Sequence, residues 1–341
     1  METMNKCAFE AKDYKSDQYV RWCPGCGDHA VVATMQKAMA EVGVAPHNSV
    51  VISGIGCSSR LPYYMNTYGF HTIHGRGAAI ATGVKTANPD MMVWLATGDG
   101  DSLAIGGNHF IHAVRRNVDI NIVLFNNRIY GLTKGQYSPT SARGFISKSS
   151  PYGTVEDPFI PAELCLGARG QFFARSLDVD MKNLQLCMVQ GAKHQGTSVI
   201  EVLVNCVIFN DGIHKGYSLK EVRDDMTITL QHGKPMIFGK DKNKGIVLDG
   251  FKLKAVTIGE DGYTMDDILV HDAHEENNTL HMMLSMMGGD LPIAMGVIRD
   301  VQTPVYDQEV KTQIEELQAK DPTRTLHDLL MQGAVWQVKE E

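Results

Sequence analysis

Two groups of polar residues each follow a segment with the composition of a buried strand. Gly98-Asp99-Gly100-Asp101 comes directly after residues 91–97, and Asn126-Asn127 ends the next such segment, so that Asn127 lies 28 residues after Asp99. One helix and one strand fit in that interval, so neighbouring strands of a parallel sheet can bring both groups to one edge. A carboxylate and an amide oxygen suit a hard cation such as Mg²⁺, and the backbone carbonyl of Ile129 can be a third ligand. The glycines would let backbone N–H groups approach a diphosphate.

Four of the seven cysteines are candidates for a second site beside the first. Cys23 and Cys26 form a CxxC segment before the first predicted helix, Cys57 follows the first predicted strand, and Cys206 follows the last. The CxxC segment alone is compatible with a redox dithiol, half of a zinc site or part of an iron–sulfur site. Four thiolates suit either zinc or a [4Fe–4S] cluster. A position beside an organic cofactor favours the cluster, because a redox centre gains from that position and a structural zinc ion does not.

The elements that would position these residues alternate along the chain as far as residue 204. Helical spacing of apolar residues or small-residue content predicts helices at 28–42, 76–87, 102–117, 161–166 and 181–194. Short apolar segments predict strands at 49–53, 91–97, 119–125, 171–175 and 198–204. The alternation predicts an α/β fold with a doubly wound, mostly parallel sheet that binds ligands at the carboxyl ends of its strands. Residues 128–160 have the composition of a long loop, which is usually functional or disordered.

This pattern divides the chain into three parts. Residues 1–16 are predicted to be an N-terminal tail, and residues 17–212 to be the diphosphate-binding domain that also carries the four cysteines. Residues 213–341 form a C-terminal extension with short strands near 246–257 and helices near 307–333. We expect this extension to contact a partner or cover the site.

Composition excludes several classes of protein. The chain has 341 residues, 43% of them hydrophobic and 21% charged, which is typical of a globular protein. A net charge of −7 argues against binding to nucleic acid, and no apolar segment approaches the roughly 18 residues that span a bilayer. We therefore expect a cytoplasmic protein with no nucleic-acid or membrane partner. An odd number of cysteines argues against a disulfide scaffold, and we interpret Cys7, Cys165 and Cys187 as ordinary thiols.

Five motifs together resemble one family, the β subunits of the 2-oxoacid:ferredoxin oxidoreductases. The GDG and NN groups match the diphosphate-binding motif of thiamine diphosphate enzymes. The motifs are WCPGCGDH (22–29), GIGCSSR (54–60), HTIHGRGAAIATG (71–83), GDGD (98–101) and NNRIYGLTKGQYSPT (126–140). Among family members, the sequence is most similar to the 2-oxoglutarate-specific enzymes. The resemblance covers about residues 17–215.

The resemblance implies a thiamine diphosphate site with bound Mg²⁺ beside a single [4Fe–4S] cluster. The implied Mg²⁺ ligands are Asp99, Asn127 and the carbonyl of Ile129, and the implied cluster ligands are Cys23, Cys26, Cys57 and Cys206. The implied contacts of the organic cofactor are Ile55, Gly56, Cys57, Ser58, His74, Gly100, Asp101, Gly131 and Leu132. Arg60 is expected to pair with the distal carboxylate of the substrate, and Leu132 to form an apolar wall beside it.

The resemblance also implies the reaction and the partners. A 2-oxoacid, expected to be 2-oxoglutarate, would lose CO₂ on thiamine diphosphate, electrons would pass through the cluster to ferredoxin, and coenzyme A would accept the acyl group. An α subunit would supply the glutamate that activates the cofactor, so this chain alone should be inactive. The alternatives are a non-oxidative thiamine diphosphate enzyme or a non-catalytic scaffold, either with a structural zinc ion on the four cysteines.

Overall fold

The structure is a computed structural model that describes residues 9–320, 322–323 and 325–339. Cys7 and half of the predicted N-terminal tail lie outside the described residues. The described strands are β1 Ser49–Ser53, β2 Tyr68–His71, β3 Met92–Gly98, β4 Asn121–Asn126, β5 Phe172–Leu177, β6 Ser198–Leu203, β7 Thr227–Leu230, β8 Ile237–Phe238, β9 Lys244–Asp249, β10 Lys252–Thr257 and β11 Ile293–Asp300. The described α-helices are α1 Asp28–Val42, α2 Gly77–Ala87, α3 Asp99–Leu103, α4 Gly107–Arg116, α5 Pro161–Gly167, α6 Met181–Lys193, α7 Lys215–Ser218, α8 Lys220–Met226, α9 Thr279–Ser285, α10 Tyr306–Lys320 and α11 Leu326–Leu330.

Eight of the described strands form one sheet in the order β2-β1-β3-β4-β6-β5-β11-β7. All neighbouring strands in it are parallel except β11 and β5, which are antiparallel. Every residue of β1, β4, β5 and β6 is buried, as expected for apolar strands covered on both faces. One face packs against α1 and α6, and the other packs against α2, α4 and α5. The predicted doubly wound, mostly parallel α/β fold is therefore confirmed.

The C-terminal region contributes to two sheets. Strands β7 and β11 extend the main sheet, so that sheet crosses the boundary that the sequence predicts at residue 212. Strands β8, β9 and β10 form a separate antiparallel sheet. The strands predicted near 246–257 correspond to β9 and β10, and the helices predicted near 307–333 correspond to α10 and α11. None of the described helices combines the length and apolar character that crossing a membrane requires.

The predicted helix at 102–117 is wrong as a single element. The chain instead forms α3, turns through residues 104–106 and then forms α4. A Cβ atom on Gly75 would lie 2.5 Å from the backbone nitrogen of Gly106, so the two glycines let these backbone segments touch. The break therefore brings the turn before α2 against the segment after β3, which positions the residues around Asp101.

Candidate functional site

The carboxyl ends of β1, β3 and β4 surround one cleft. All twelve residues that the sequence assigns to the cofactor or to Mg²⁺ line it: Ile55, Gly56, Cys57, Ser58, His74, Asp99, Gly100, Asp101, Asn127, Ile129, Gly131 and Leu132. They come from four separate segments of the chain that this sheet topology brings together. Asp28 and Tyr130 also line the cleft, and sequence reasoning did not single them out.

Asp99 is a buried carboxylate whose hydrogen bonds come from neutral donors. Its Oδ2 atom accepts hydrogen bonds from the hydroxyls of Ser138 and Thr140, each at 2.5 Å. Burial raises the pKa of Asp99, while these two hydrogen bonds oppose that rise. No lysine or arginine of the described residues forms a salt bridge with it. A divalent cation in the cleft would supply the missing positive charge, so this environment fits Mg²⁺.

The turn after β4 carries the other two predicted Mg²⁺ ligands. The Oδ1 atom of Asn127 accepts a hydrogen bond from the N–H of Ile129 at 3.1 Å, and Arg128 between them has a φ of 55°. The side-chain amide of Asn210 donates to the carbonyl of Asn127 at 3.0 Å. This left-handed turn keeps Asn127 and Ile129 on the cleft beside Asp99. The three candidate ligands offer a carboxylate, an amide and a carbonyl oxygen, which is the donor chemistry that Mg²⁺ prefers.

Asp101 holds the surrounding loops in place. Its Oδ1 atom accepts a hydrogen bond from the N–H of Gly75 at 2.8 Å, and its Oδ2 atom accepts one from the Thr97 hydroxyl at 2.9 Å. The Nδ1 atom of His74 lies 3.8 Å from Oδ1. Asp101 therefore lines the cleft, but the protein itself already engages its carboxylate.

Tyr130 explains why residue 100 is a glycine. A Cβ atom on Gly100 would lie 2.2 Å from the Tyr130 ring, and the Tyr130 hydroxyl donates to the Gly100 carbonyl at 3.0 Å. Burial, together with the nearby carboxylates Asp99 and Asp101, raises the pKa of Tyr130 to about 12. The phenol therefore stays neutral and braces the GDG turn from the opposite wall.

Two buried polar atoms in the cleft have no partner within the described residues. These are the hydroxyl of Ser58 and the Oδ2 atom of Asp28. Burial raises the pKa of Asp28 to about 7, and the nearby Asp178 carboxylate adds to that rise. Buried polar groups are nearly always hydrogen-bonded, so both atoms are available to a bound polar ligand.

The four candidate cluster cysteines line a second pocket next to the cleft. Cys23, Cys26, Cys57 and Cys206 are all free thiols on this pocket, together with the apolar side chains of Trp22, Val207, Ile208 and Phe209. A Cβ atom on Gly131 would lie 3.6 Å from the sulfur of Cys57 and 3.5 Å from that of Cys206. Glycine at 131 thus leaves space between these thiols. The cleft and the pocket share residues Cys57, Asn127, Gly131 and Leu132.

In the described part of the chain, no three His, Cys, Asp or Glu side chains are placed to hold a single metal ion. Burial also affects the ionisation of two thiols in the cysteine pocket. Burial raises the pKa of the Cys57 thiol to about 12, and burial also raises that of Cys26. Both thiols would need a bound cationic centre to become thiolates at neutral pH.

Cys165 and Cys187 are fully buried in helices α5 and α6. Neither lines the cleft or the cysteine pocket. This agrees with their interpretation as ordinary core thiols.

Arg60 and Leu132 line the same two pockets beside the cleft. Leu132 is 49% exposed and borders the cleft, the cysteine pocket and a third, more open pocket. Arg60 is exposed and lines the last two of these but not the cleft itself. Its guanidinium forms no salt bridge with a carboxylate of the described residues, which leaves it available to an anionic ligand. Arg21, which sequence reasoning missed, lines the same two pockets.

Comparison with known proteins gives one family match within the chain. The family described as "Thiamine pyrophosphate enzyme, C-terminal TPP binding domain" matches residues 54–202. These residues include β2 through β5, almost all of β6 and every residue that lines the cleft except Asp28.

Relatives extend the similarity to almost the whole chain. The 2-oxoglutarate oxidoreductase subunit KorB of Mycobacterium tuberculosis is 44% identical over 333 residues, which covers 96% of this chain and 88% of the relative. The 2-oxoacid:ferredoxin oxidoreductase 1 subunit beta of Aeropyrum pernix is 46% identical over 198 residues, covering 58% of this chain and 62% of the relative. Among solved structures, a 2-oxoglutarate:ferredoxin oxidoreductase from Magnetococcus marinus with 2-oxoglutarate, coenzyme A and succinyl-CoA bound matches with a TM-score of 0.73 and 31% identity. That match covers 92% of each chain.

Proposed function

This chain belongs to the β subunits of the 2-oxoacid:ferredoxin oxidoreductases, a family of thiamine diphosphate enzymes, and we propose that it carries half of an active site that oxidises 2-oxoglutarate. With coenzyme A, the products would be succinyl-CoA and CO₂, and ferredoxin would accept the electrons. The names of its relatives and the ligands in the matching solved structure support this substrate.

One observation carries the proposal. A cleft with hard oxygen donors and a pocket with four thiols share a wall formed by Cys57, Asn127, Gly131 and Leu132. An organic cofactor in the cleft would therefore lie beside a metal centre in the pocket. A structural zinc site has no need of such a shared wall, whereas electron transfer depends on short distances.

Asp99, Asn127 and the carbonyl of Ile129 would hold Mg²⁺ against the diphosphate. Bound thiamine diphosphate supplies the carbanion chemistry of decarboxylation. The Ser58 hydroxyl is a free buried donor for a polar group of the cofactor, and His74 lies at the edge of the same cleft. Tyr130 keeps the Gly100 turn in the shape that leaves the cleft open.

Cys23, Cys26, Cys57 and Cys206 would bind one [4Fe–4S] cluster. Such a cluster with four thiolates carries net negative charge, and the cationic side chains of Arg21, Arg60 and Lys134 line the same pocket. These positive charges would stabilise the reduced cluster and thereby tune its potential.

Arg60 would bind the distal carboxylate of the substrate at the mouth of the cleft. Leu132 lines both the cleft and the pocket that contains Arg60, and it would contact the aliphatic part of the substrate. A dicarboxylic 2-oxoacid would thus be selected by one charged contact and one apolar wall.

We expect Arg60→Ala to raise the KM for 2-oxoglutarate. Loss of a charge-assisted bidentate pair costs about 1.5–3 kcal/mol, which corresponds to roughly a 10- to 100-fold change. The KM for 2-oxobutyrate, which lacks the distal carboxylate, should change little. Steady-state kinetics of the αβ complex with both substrates measure the difference, and Arg115→Ala on the exposed face of α4 serves as the control. An equal change for both substrates, or no change for either, would rule out the carboxylate contact.

An α subunit would complete the site. The described residues contain one large, mostly parallel sheet and one three-stranded antiparallel sheet, so they provide one diphosphate-binding domain. The subunit names of the relatives support a partner chain, which we propose carries the glutamate that activates the cofactor.

Turnover assays with the separated and combined subunits test the proposed function. The αβ complex, purified without oxygen, should reduce a low-potential acceptor when 2-oxoglutarate and coenzyme A are both present, and this chain alone should not. A complex that decarboxylates 2-oxoglutarate without reducing any acceptor would instead support the non-oxidative alternative.

A further inference from the structure

The segment Ser138–Ser141 contacts Asp99 and also the turn that carries the other two candidate Mg²⁺ ligands. Ser138, Thr140 and Ser141 are each at most 4% exposed although their side chains are polar. They belong to the long loop after β4, and no described helix or strand spans residues 127–160. A buried row of hydroxyls in an otherwise irregular loop requires specific partners, because each unpaired hydroxyl would be destabilising.

Two of these hydroxyls bind one oxygen of Asp99. Ser138 and Thr140 both donate to Oδ2 at 2.5 Å, and no side chain of the described residues donates to Oδ1. Hydroxyls are neutral, so they orient the carboxylate without cancelling its charge. A lysine or arginine in their place would compete with a cation for the same charge.

The third hydroxyl binds the turn that carries the other two ligands. Ser141 donates to the carbonyl of Arg128 at 2.7 Å, and its oxygen accepts a hydrogen bond from the N–H of Ser138 at 2.8 Å. Arg128 stands directly between Asn127 and Ile129. The segment therefore touches Asp99 on one side and the Asn127–Ile129 turn on the other.

The segment is itself anchored to the buried core of the sheet. The Thr140 hydroxyl lies 3.0 Å from the side-chain oxygen of Asn126, whose amide donates to Glu201 at 2.7 Å. Glu201 in turn accepts a hydrogen bond from Arg175 at 2.7 Å, and this ion pair is almost completely buried. These hydrogen bonds therefore connect the segment to the buried, well-packed core of the sheet.

We propose that Ser138, Thr140 and Ser141 are positioning residues that preorganise the Mg²⁺ site, and that Mg²⁺–cofactor binding and the order of the 128–160 loop are therefore coupled. The inference rests on the proposed function, because it requires the cleft to bind the metal with thiamine diphosphate. By thermodynamic linkage, a loop that strengthens metal binding is itself stabilised by the metal to the same extent. Groups that orient metal ligands typically contribute a factor of about 10–100 in affinity.

The test uses the αβ complex with Ser138→Ala/Thr140→Val in this chain. The Mg²⁺ concentration that half-saturates thiamine diphosphate binding, measured by calorimetry, should rise roughly 10- to 100-fold. Ser138→Thr and Thr140→Ser keep a hydroxyl and should bind nearly as well as the wild type. Ser149→Ala removes an exposed hydroxyl from the same loop and should change nothing.

Limited trypsin digestion at the exposed Lys148 measures how bound Mg²⁺ and cofactor change the order of the 128–160 loop. Mg²⁺ with thiamine diphosphate should slow cleavage of the wild-type loop, and the double variant should lose most of this protection. If the double variant does not fold, the single variants Ser138→Ala and Thr140→Val are compared with their hydroxyl-retaining counterparts in the same two assays.

Two outcomes distinguish a failure of this inference from a failure of the proposed function. If the variants merely loosen the loop, cleavage rises equally with and without the cofactor while the Mg²⁺ requirement stays within twofold, and the inference is wrong. If the wild-type complex itself binds no thiamine diphosphate in the presence of Mg²⁺, the proposed function is wrong.

Discussion

Replacing Cys206 with alanine is expected to lower the iron content of the anaerobically purified αβ complex from about four atoms per chain to near zero. Cys206 lines the cysteine pocket but not the cofactor cleft, whereas Cys57 lines both. Its loss should therefore abolish acceptor reduction and leave thiamine diphosphate binding intact. Iron analysis, visible absorption and calorimetry on the same preparation measure these three properties.

Cys165→Ala is the matched control for this variant. Cys165 is fully buried in α5 and lies outside the cysteine pocket. Its removal should reduce stability by the amount typical of a small cavity while the complex keeps its iron. Equal iron loss in both variants, or full retention of iron by Cys206→Ala, would contradict the ligand assignment.

Asp99→Asn should be almost inactive because the complex would no longer hold Mg²⁺ and thiamine diphosphate. Removing one charged partner of a buried ion pair costs about 3–5 kcal/mol, which is roughly a 10²- to 4 × 10³-fold loss of affinity. Asparagine has nearly the same shape as aspartate and can still accept from Ser138 and Thr140. Calorimetric titration of thiamine diphosphate at fixed Mg²⁺ measures the loss, with the exposed Asp90→Asn as control.

Thermal unfolding distinguishes a lost ligand from a damaged fold. Burial raises the pKa of Asp99 above its value in the unfolded chain, so this carboxyl destabilises the metal-free fold at neutral pH, where the unfolded carboxyl is ionised. The neutral amide removes that penalty, and the metal-free Asp99→Asn chain should be at least as stable as the metal-free wild type. A large drop in its unfolding temperature would show that Asp99 is needed for folding and not for the metal.

Predicting the fold from the sequence succeeds where burial dominates. The predicted bounds of α1 and β1 agree with the structure, because an amphipathic helix and a strand buried on both faces leave clear apolar patterns. Strand β2 escapes prediction because all four of its residues are exposed at the edge of the sheet. The break between α3 and α4 depends on the contact between Gly75 and Gly106, which lie 31 residues apart.

The sequence likewise predicts some residues of the site and misses others. Cysteines and the GDG group are rare enough in sequence that their spacing alone indicates a site, and the structure brings these residues to two adjoining pockets. Asp28, Tyr130, Ser138 and Thr140 belong to common residue types. Their roles arise from contacts across 30 or more residues, such as that of Thr140 with Asp99. All four residues lie within the motifs at 22–29 and 126–140, but residue type and spacing alone do not assign these contacts.

Electron paramagnetic resonance of the αβ complex, frozen after mixing with 2-oxoglutarate and coenzyme A without oxygen, tests the central claim most directly. The claim is that the cofactor in the cleft passes electrons to a cluster held by this chain. We predict the signal of a reduced [4Fe–4S] cluster that appears only when 2-oxoglutarate is added and is absent from the Cys206→Ala complex. A wild-type complex that contains about one zinc ion per chain, no iron and no such signal would contradict it.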